Sequence, residues 1–171
     1  MIIPITGVLG HLLNKSETLS FGVNETINNF VSRHANEEVK TMVLGKNAVA
    51  KGTTGMMGVI SPNFKNKNNF EDLFHVFVIL ITNRGVYKLE KVETLTVRDG
   101  KATLQKTPSQ YKLEFPVDKR LTIYEMMDRT KKSMGVDKMR GYDAKSQNCQ
   151  DFIIALMRAN GLYTQERPSF Y

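Results

Sequence analysis

The clearest hydrophobic pattern in the chain is a short, almost uninterrupted apolar run that begins after His75 and ends at Ile81. It is rich in β-branched and aromatic residues, and the turn residues Asn83-Arg84-Gly85 follow it closely. Such a run predicts a strand that is buried in the middle of a sheet. A second strand-like segment, residues 86–97, comes directly after the turn. We therefore expect a β-hairpin with a three-residue loop.

The C-terminal part of the chain predicts two helices. Thr122 with Glu125 three residues later forms a capping-box pattern, and that helix should end near Gly135. A second amphipathic helix is expected over 149–159, with Asn160-Gly161 as its stop signal. Between the hairpin and these helices, a turn at Asp99-Gly100 is expected to lead into further strand-like sequence up to Phe115.

The N-terminal half has a weaker pattern. Apolar spacing from Ile27 to His34 predicts a short amphipathic helix that Asn24 caps, and residues 38–44 alternate like a strand before glycines interrupt the pattern. We expect an α+β fold in one domain, 1–171, with an antiparallel sheet packed against helices. Residues 71–165 would form the core. Residues 1–70 would be an accessory portion that completes the sheet, lines the cleft or covers it.

Composition narrows the class of protein. The 171 residues are 41% hydrophobic and 24% charged, as in ordinary globular domains. No apolar run is long enough to cross a bilayer and no signal peptide is recognisable, so we expect no transmembrane segment and a cytoplasmic location. A single cysteine fits a reducing compartment. The net charge of +7 comes from scattered basic residues without interleaved aromatics, so we expect no specific nucleic-acid binding.

The candidate chemistry lies at the start of the last predicted helix. Asn148 is placed to cap that helix, which makes Cys149 its first residue. Unpaired N–H groups and the helix dipole stabilise a thiolate there, and the N–H of Cys149 would face an oxyanion formed by its own attack. Of the three histidines, His75 alone heads a buried strand, where it needs a polar partner. We therefore expect Cys149 as nucleophile and His75 as base, without a metal or cofactor.

These residues carry a resemblance to a known superfamily. His75 opening a hairpin, followed by Asn148-Cys149-Gln150-Asp151-Phe152, resembles the permuted papain-like cysteine hydrolases, which include lecithin retinol acyltransferase and related viral proteins. The resemblance spans roughly 72–162 and implies a circularly permuted papain-like fold. It departs from the acyltransferases in two ways. They carry Glu-His after the cysteine, where this chain has Gln-Asp, and they have a further histidine soon after the first.

The remaining site residues depend on the hairpin register. If Thr82 pairs with Val86, Glu93 lies opposite His75 and would orient the imidazole, with Glu90 as the next carboxylate. Gln147 and Asn148 are the nearest side-chain amides for an oxyanion, although a capping Asn148 would be structural first.

The leading hypothesis is a cysteine-dependent hydrolase or acyltransferase that forms an acyl-enzyme on Cys149, acts on a protein or lipid acyl substrate and is of viral origin, in host cytoplasm or virion. Two alternatives fit the same residues. One is a catalytically inactive binding or virion-associated module of the same fold, in which Cys149 is a small buried hydrophobe and His75 is structural. The other is a viral maturation cysteine protease.

Overall fold

The structure is a computed structural model that describes residues 21–48, 74–141 and 148–163. Within these ranges the chain forms a five-stranded antiparallel sheet with helices packed on it, which confirms the α+β class. The strands are β1 (Val39–Ala48), β2 (Phe74–Thr82), β3 (Val86–Lys91), β4 (Leu95–Asp99) and β5 (Lys112–Pro116). The helices are α1 (Glu25–His34), α2 (Lys101–Lys106), α3 (Ile123–Met134), α4 (Val136–Arg140) and α5 (Cys149–Ala159), and a 3₁₀ turn spans Ser109–Tyr111.

The N-terminal strand lies inside the sheet. The strand order is β4-β3-β2-β1-β5, so β1 pairs with both β2 and β5 and completes the sheet. The strand also continues through Gly45, where the sequence pattern predicts a break. A Cβ atom at Gly45 would lie 2.2 Å from the ring of Phe77 on β2. The glycine therefore makes room for a neighbouring aromatic ring and does not end the strand.

The β2–β3 hairpin has a different register from the expected one. Ile81 pairs with Val86, which leaves a four-residue loop in which the backbone N–H of Thr82 donates to the carbonyl of Gly85 at 2.9 Å. Every cross-strand partner on β3 is consequently shifted by one residue. The segment 86–97 also divides into β3 and β4, with a turn at residues 92–94 between them.

The segment directly after Gly100 is helical, so the expectation of strand from that turn up to Phe115 was wrong for α2 and is confirmed only for β5. The Asp99 carboxylate accepts the backbone N–H of Lys101 at 2.9 Å, which satisfies one of the free donors at the start of α2. Leu104 on α2 then packs against the small apolar cluster formed by Val43, Phe77 and Ile79. This packing holds a six-residue helix that would be unstable alone.

The main core lies on the other face of the sheet. There α1, α3 and α5 bury their apolar stripes against Val76, Val78 and Leu80 of β2. The predicted helix starts are confirmed: Asn24 caps α1, and capping boxes begin α3 and α5. Among the described residues, no helix combines the length and apolarity that a membrane crossing requires.

Candidate active site

Local capping fixes Cys149 at the first position of α5. The backbone N–H of Asp151 donates to Asn148 Oδ1 at 2.9 Å, and the N–H of Asn148 donates to Asp151 Oδ2 at 3.3 Å. This reciprocal pair satisfies two donors that a helix start would otherwise leave unpaired. The N–H groups of Cys149 and Gln150 have no acceptor within the helix, because they belong to its first turn. The thiol therefore lies at the positive end of the helix dipole.

The thiol of Cys149 is partly buried and lies beside the His75 ring and the backbone of Val76 and Gln150. Burial raises the pKa of this thiol, but hydrogen bonds from the His75 side chain and from the backbone of Val76 and Gln150, together with the charge on His75, outweigh it. The net result is a pKa below that of an ordinary thiol. The surroundings of Cys149 thus stabilise the thiolate, which is the nucleophilic form of cysteine.

His75 lies between the thiol and a carboxylate. It is the second residue of β2, at the end of the sheet where α5 begins, and its Nε2 atom is 3.0 Å from Glu90 Oε2. Glu90 thereby engages Nε2, which leaves Nδ1 to serve the thiol of Cys149. Burial lowers the pKa of His75, but hydrogen bonds to Cys149 and Glu90 and their charges raise it overall, to about 9. The ring is therefore held as imidazolium at neutral pH.

Glu90 is buried on β3 and has two cationic neighbours. Its Oε2 atom also accepts a hydrogen bond from Lys88 Nζ at 2.7 Å, and the exposed fractions of the two side chains are 9% and 13%. The hydrogen bond to His75 lowers the pKa of Glu90 most; burial opposes it, Lys88 adds to it, and the result is about 2. Lys88 Nζ also lies 4.7 Å from the centroid of the Phe77 ring. The site is thus a row in which cationic Lys88, anionic Glu90 and cationic His75 lead to the thiol of Cys149, whose ionised form His75 stabilises.

The structure does not bring Glu93, one of the sequence-predicted residues, to the site. Glu93 is exposed and follows the end of β3, and it makes no contact with His75. The correction has a simple cause: Phe77 pairs with Glu90, so the one-residue shift in register removes Glu93 from the position opposite His75. Gln147 lies outside the described residues. Asn148 is close to Cys149, but its side-chain oxygen accepts the helix N–H as a cap.

Lys88 is the site residue that the sequence reasoning missed. It lies two residues before Glu90, so both side chains project from the same face of β3. Lys88 and Glu90 alternate with Tyr87 and Leu89. This period of two was the signal in the sequence that Lys88 and Glu90 lie on the same face of the strand. It was hard to interpret, because exposed strand positions carry the same residue types.

The arrangement supplies a nucleophile, a proton donor and acceptor, and a carboxylate that orients it. In the described part of the chain, no three His, Cys, Asp or Glu residues converge as metal ligands. No protein-family model, curated protein or solved structure matches the chain. The proposal below therefore rests on the chemistry of these side chains.

Proposed function

We propose that the protein is a cysteine-dependent acyl-transfer enzyme with Cys149 as nucleophile, His75 as general acid and base, and Glu90 as the residue that orients His75. The observation that carries the proposal is the chain of hydrogen bonds from the Cys149 thiol to His75 and on to Glu90 at 3.0 Å. Hydrolysis is the default reaction, and transfer to another acceptor is the variant that the resemblance suggests. The permuted papain-like fold is part of the same proposal, supported by the order of a histidine strand before a cysteine helix.

In the first half of the reaction, the Cys149 thiolate attacks the carbonyl carbon of an ester, thioester or amide. The carbonyl π electrons move to oxygen, and the oxyanion lies near the backbone N–H of Cys149 at the start of α5. As the tetrahedral intermediate collapses, the His75 imidazolium donates its Nδ1 proton to the leaving alcohol, thiol or amine. The products of this half are an acyl thioester on Cys149 and a neutral imidazole.

In the second half, neutral His75 takes a proton from water or from another acceptor nucleophile. That nucleophile attacks the thioester carbonyl, and Cys149 leaves as a thiolate while the imidazolium forms again. Glu90 stabilises the imidazolium in both halves without taking its proton, because the pKa of Glu90 is only about 2. Substrates of this chemistry are acyl groups on a protein or a lipid.

Thiol reactivity provides the first test. We expect iodoacetamide to alkylate Cys149 much faster than a model thiol at mildly acidic pH of about 5, because the site stabilises the thiolate. Since the chain has one cysteine, Cys149→Ser gives a background without any thiol. His75→Asn should slow alkylation at that pH to the rate of a model thiol.

Acyl transfer itself is tested with p-nitrophenyl acetate. A burst of nitrophenol with one acetyl group on Cys149, seen by mass spectrometry of the intact protein, is the expected result. The matched control is His34→Asn, which changes a histidine paired with a different glutamate. A reactive thiol that is never acylated by any ester, thioester or amide tested would favour a binding module over an enzyme.

A further inference from the structure

A buried lysine next to Glu90 takes no part in the proposed reaction. Lys91 is the last residue of β3, and its side chain is 0% exposed. Lysines are almost never fully buried unless a partner holds the charge. Because side chains alternate along a strand, Lys91 projects with Leu89 from the helix-bearing face, opposite the face of Lys88 and Glu90. Lys91 therefore lies on the side of the sheet where α5 packs.

One hydrogen bond fixes the Lys91 ammonium. Its Nζ atom donates to the backbone carbonyl of Lys138, in the last turn of α4, where carbonyls have no donor within the helix. This bond ties the end of β3 to α4. An ammonium has three N–H donors, and the Lys138 carbonyl is the one acceptor that the described residues give it. A single carbonyl leaves much of the cost of burying the charge without compensation.

The charge that acts on Lys91 comes from α5. Burial lowers the pKa of Lys91 to about 8, and the carboxylate of Asp151 acts in the opposite direction. The partner of Lys91 on β4 is the apolar Leu95. The charged side chains of α4 are exposed to solvent: Asp137, Lys138 and Arg140. At neutral pH the ammonium is therefore mainly charged and is attracted to Asp151.

The charge of Asp151 also bears on the thiol. Its carboxylate accepts the N–H of Asn148 and so helps to place Cys149 at the first position of α5. A carboxylate in the same helix turn repels a thiolate and acts to raise the pKa of the thiol. Among the strands beside the thiol, β2 supplies His75, and β3 supplies Glu90 behind that ring. The cap that positions Cys149 thus opposes its ionisation unless a cation offsets the carboxylate.

We propose that Lys91 is a positioning residue of the active site: its buried ammonium offsets the charge of Asp151, so that the cap orients Cys149 without opposing the thiolate. This role rests on the proposed function, in which the thiolate is the nucleophile. It can be separated from a purely structural role, because replacing a buried ion by an apolar side chain of similar size is often neutral or stabilising. The thiol should then ionise less readily in a protein that is no less stable.

The test is the rate constant for alkylation of Cys149 by iodoacetamide between about pH 4 and pH 9, which gives the pKa of the thiol without any acyl substrate. Lys91→Met should raise that pKa and slow alkylation near pH 5 about three- to tenfold, because the charge of Asp151 is no longer offset. The thermal unfolding midpoint should equal or exceed that of the unchanged protein.

Substitution of Asp151 should act in the opposite direction. Asp151→Asn removes the charge but keeps an oxygen that accepts the N–H of Asn148, so it should speed alkylation near pH 5 about two- to fivefold. The double variant, Lys91→Met with Asp151→Asn, should return to within about twofold of the unchanged protein, because the charge that Lys91 offsets is gone.

The matched control is Lys138→Met, which removes an exposed lysine and keeps the carbonyl that Lys91 contacts. Its alkylation rate should equal that of the unchanged protein. Lys91 is purely structural if Lys91→Met leaves the pKa of the thiol unchanged, or if Asp151→Asn does not restore the double variant. If Lys91→Met does not fold, an unchanged rate in Asp151→Asn alone overturns the role. The expected pKa shifts without acylation of Cys149 would contradict the proposed function and still support the role of Lys91.

Discussion

The molecule contains two pairs of a partly exposed histidine and a buried glutamate, one on the sheet and one where α1 ends, and the pairs differ in their third partner. At one end, His75 Nε2 lies 3.0 Å from Glu90 Oε2, and the ring also contacts the Cys149 thiol. Near the other end, His34 Nδ1 lies 2.6 Å from Glu37 Oε1, and the third group is the Tyr87 hydroxyl.

The comparison shows that a histidine–carboxylate pair does not define an active site by itself. The thiol lies at a helix start beside an imidazolium, and its pKa is lowered. The Tyr87 hydroxyl donates to a carboxylate, and burial and that hydrogen bond raise its pKa to about 12. The surroundings of Cys149 thus favour loss of its proton, whereas those of Tyr87 favour the protonated hydroxyl. In the proposed function the first pair activates a nucleophile, whereas the second pair holds the rings of His34 and Tyr87 in place.

The largest expected difference between the two pairs is in acylation. His75→Asn should reduce the rate constant for acyl-enzyme formation by about 10³-fold or more, because it removes both the proton donor and the cation that stabilises the thiolate. His34→Asn should change it by less than about twofold, because that ring contacts no reacting group. Stopped-flow measurement of the nitrophenol burst compares the variants. Equal losses in both would mean that the sheet, and not the dyad, had been damaged.

Substitutions of the two carboxylates Glu90 and Glu93 should also have clearly different effects on activity. Glu90→Gln should lower kcat/KM by about 10- to 100-fold, since His75 loses the charge that orients it and stabilises its proton. Glu93→Gln should have no effect, because Glu93 is exposed and does not contact His75. Steady-state assays with the same ester give both values. A lower kcat/KM in Glu93→Gln with no change in Glu90→Gln would instead support the register predicted from the sequence.

Activity should depend on pH through the ion pair. The pKa of His75 is raised from its ordinary value of 6.5 to about 9, so kcat/KM should be level at neutral pH and fall about tenfold per pH unit above 9. It should also fall in acid as the Cys149 thiolate is protonated, at a pH below the ordinary thiol range. In Glu90→Gln the alkaline fall should begin at lower pH. An alkaline limit that does not respond to Glu90→Gln would assign that limit to another group.

A smaller effect is expected from Lys88, whose hydrogen bond is to Glu90. Lys88→Met should reduce kcat/KM about three- to tenfold and move the acid limb of the pH profile to higher pH, because the removed cation helps to stabilise the thiolate through the row of charges. Lys88→Arg should recover most of the activity. Lys106→Met, an exposed lysine on α2, is the control. A loss of stability without any shift of the acid limb would make Lys88 purely structural.

The smallest effect belongs to the second pair and should appear in stability alone. Tyr87→Phe removes the hydroxyl that lies 2.9 Å from Glu37 Oε2, which should lower the free energy of unfolding by about 1–2 kcal/mol. Urea denaturation measures this change. The burst amplitude and rate on Cys149 should stay those of the unchanged protein, and a slower burst would show that the two pairs are coupled through the sheet.

The candidate nucleophile could be predicted because its position depends on local signals. The capping residues Asn148 and Asp151 are adjacent to Cys149 in the sequence, and they set the helix start without help from distant residues. The place of His75 at the head of a strand followed equally well from the apolar run. Both elements were confirmed with their expected boundaries to within a residue.

The carboxylate could not be predicted, because the sequence leaves the hairpin register open. Strand β2 is apolar at almost every position and buried on both faces. A shift of the pairing by one residue therefore exposes no apolar side chain, and the hydrophobic pattern is compatible with both registers. The length of the loop decides the register instead. The sequence Asn83-Arg84-Gly85 is compatible with a three-residue loop and, with Thr82 included, with the four-residue loop that forms. Helix α2 was missed for a related reason, since its stability comes from packing on Phe77 and Ile79.

The inner position of β1 has a consequence for synthesis of the chain. Because β1 pairs with β5, the complete five-stranded sheet cannot form until residue 116 has left the ribosome. Cys149 follows more than thirty residues later. His75 and Glu90 therefore have time to meet before the nucleophile exists beside them. A nascent chain can therefore form the His75–Glu90 pair before Cys149 has been added to it.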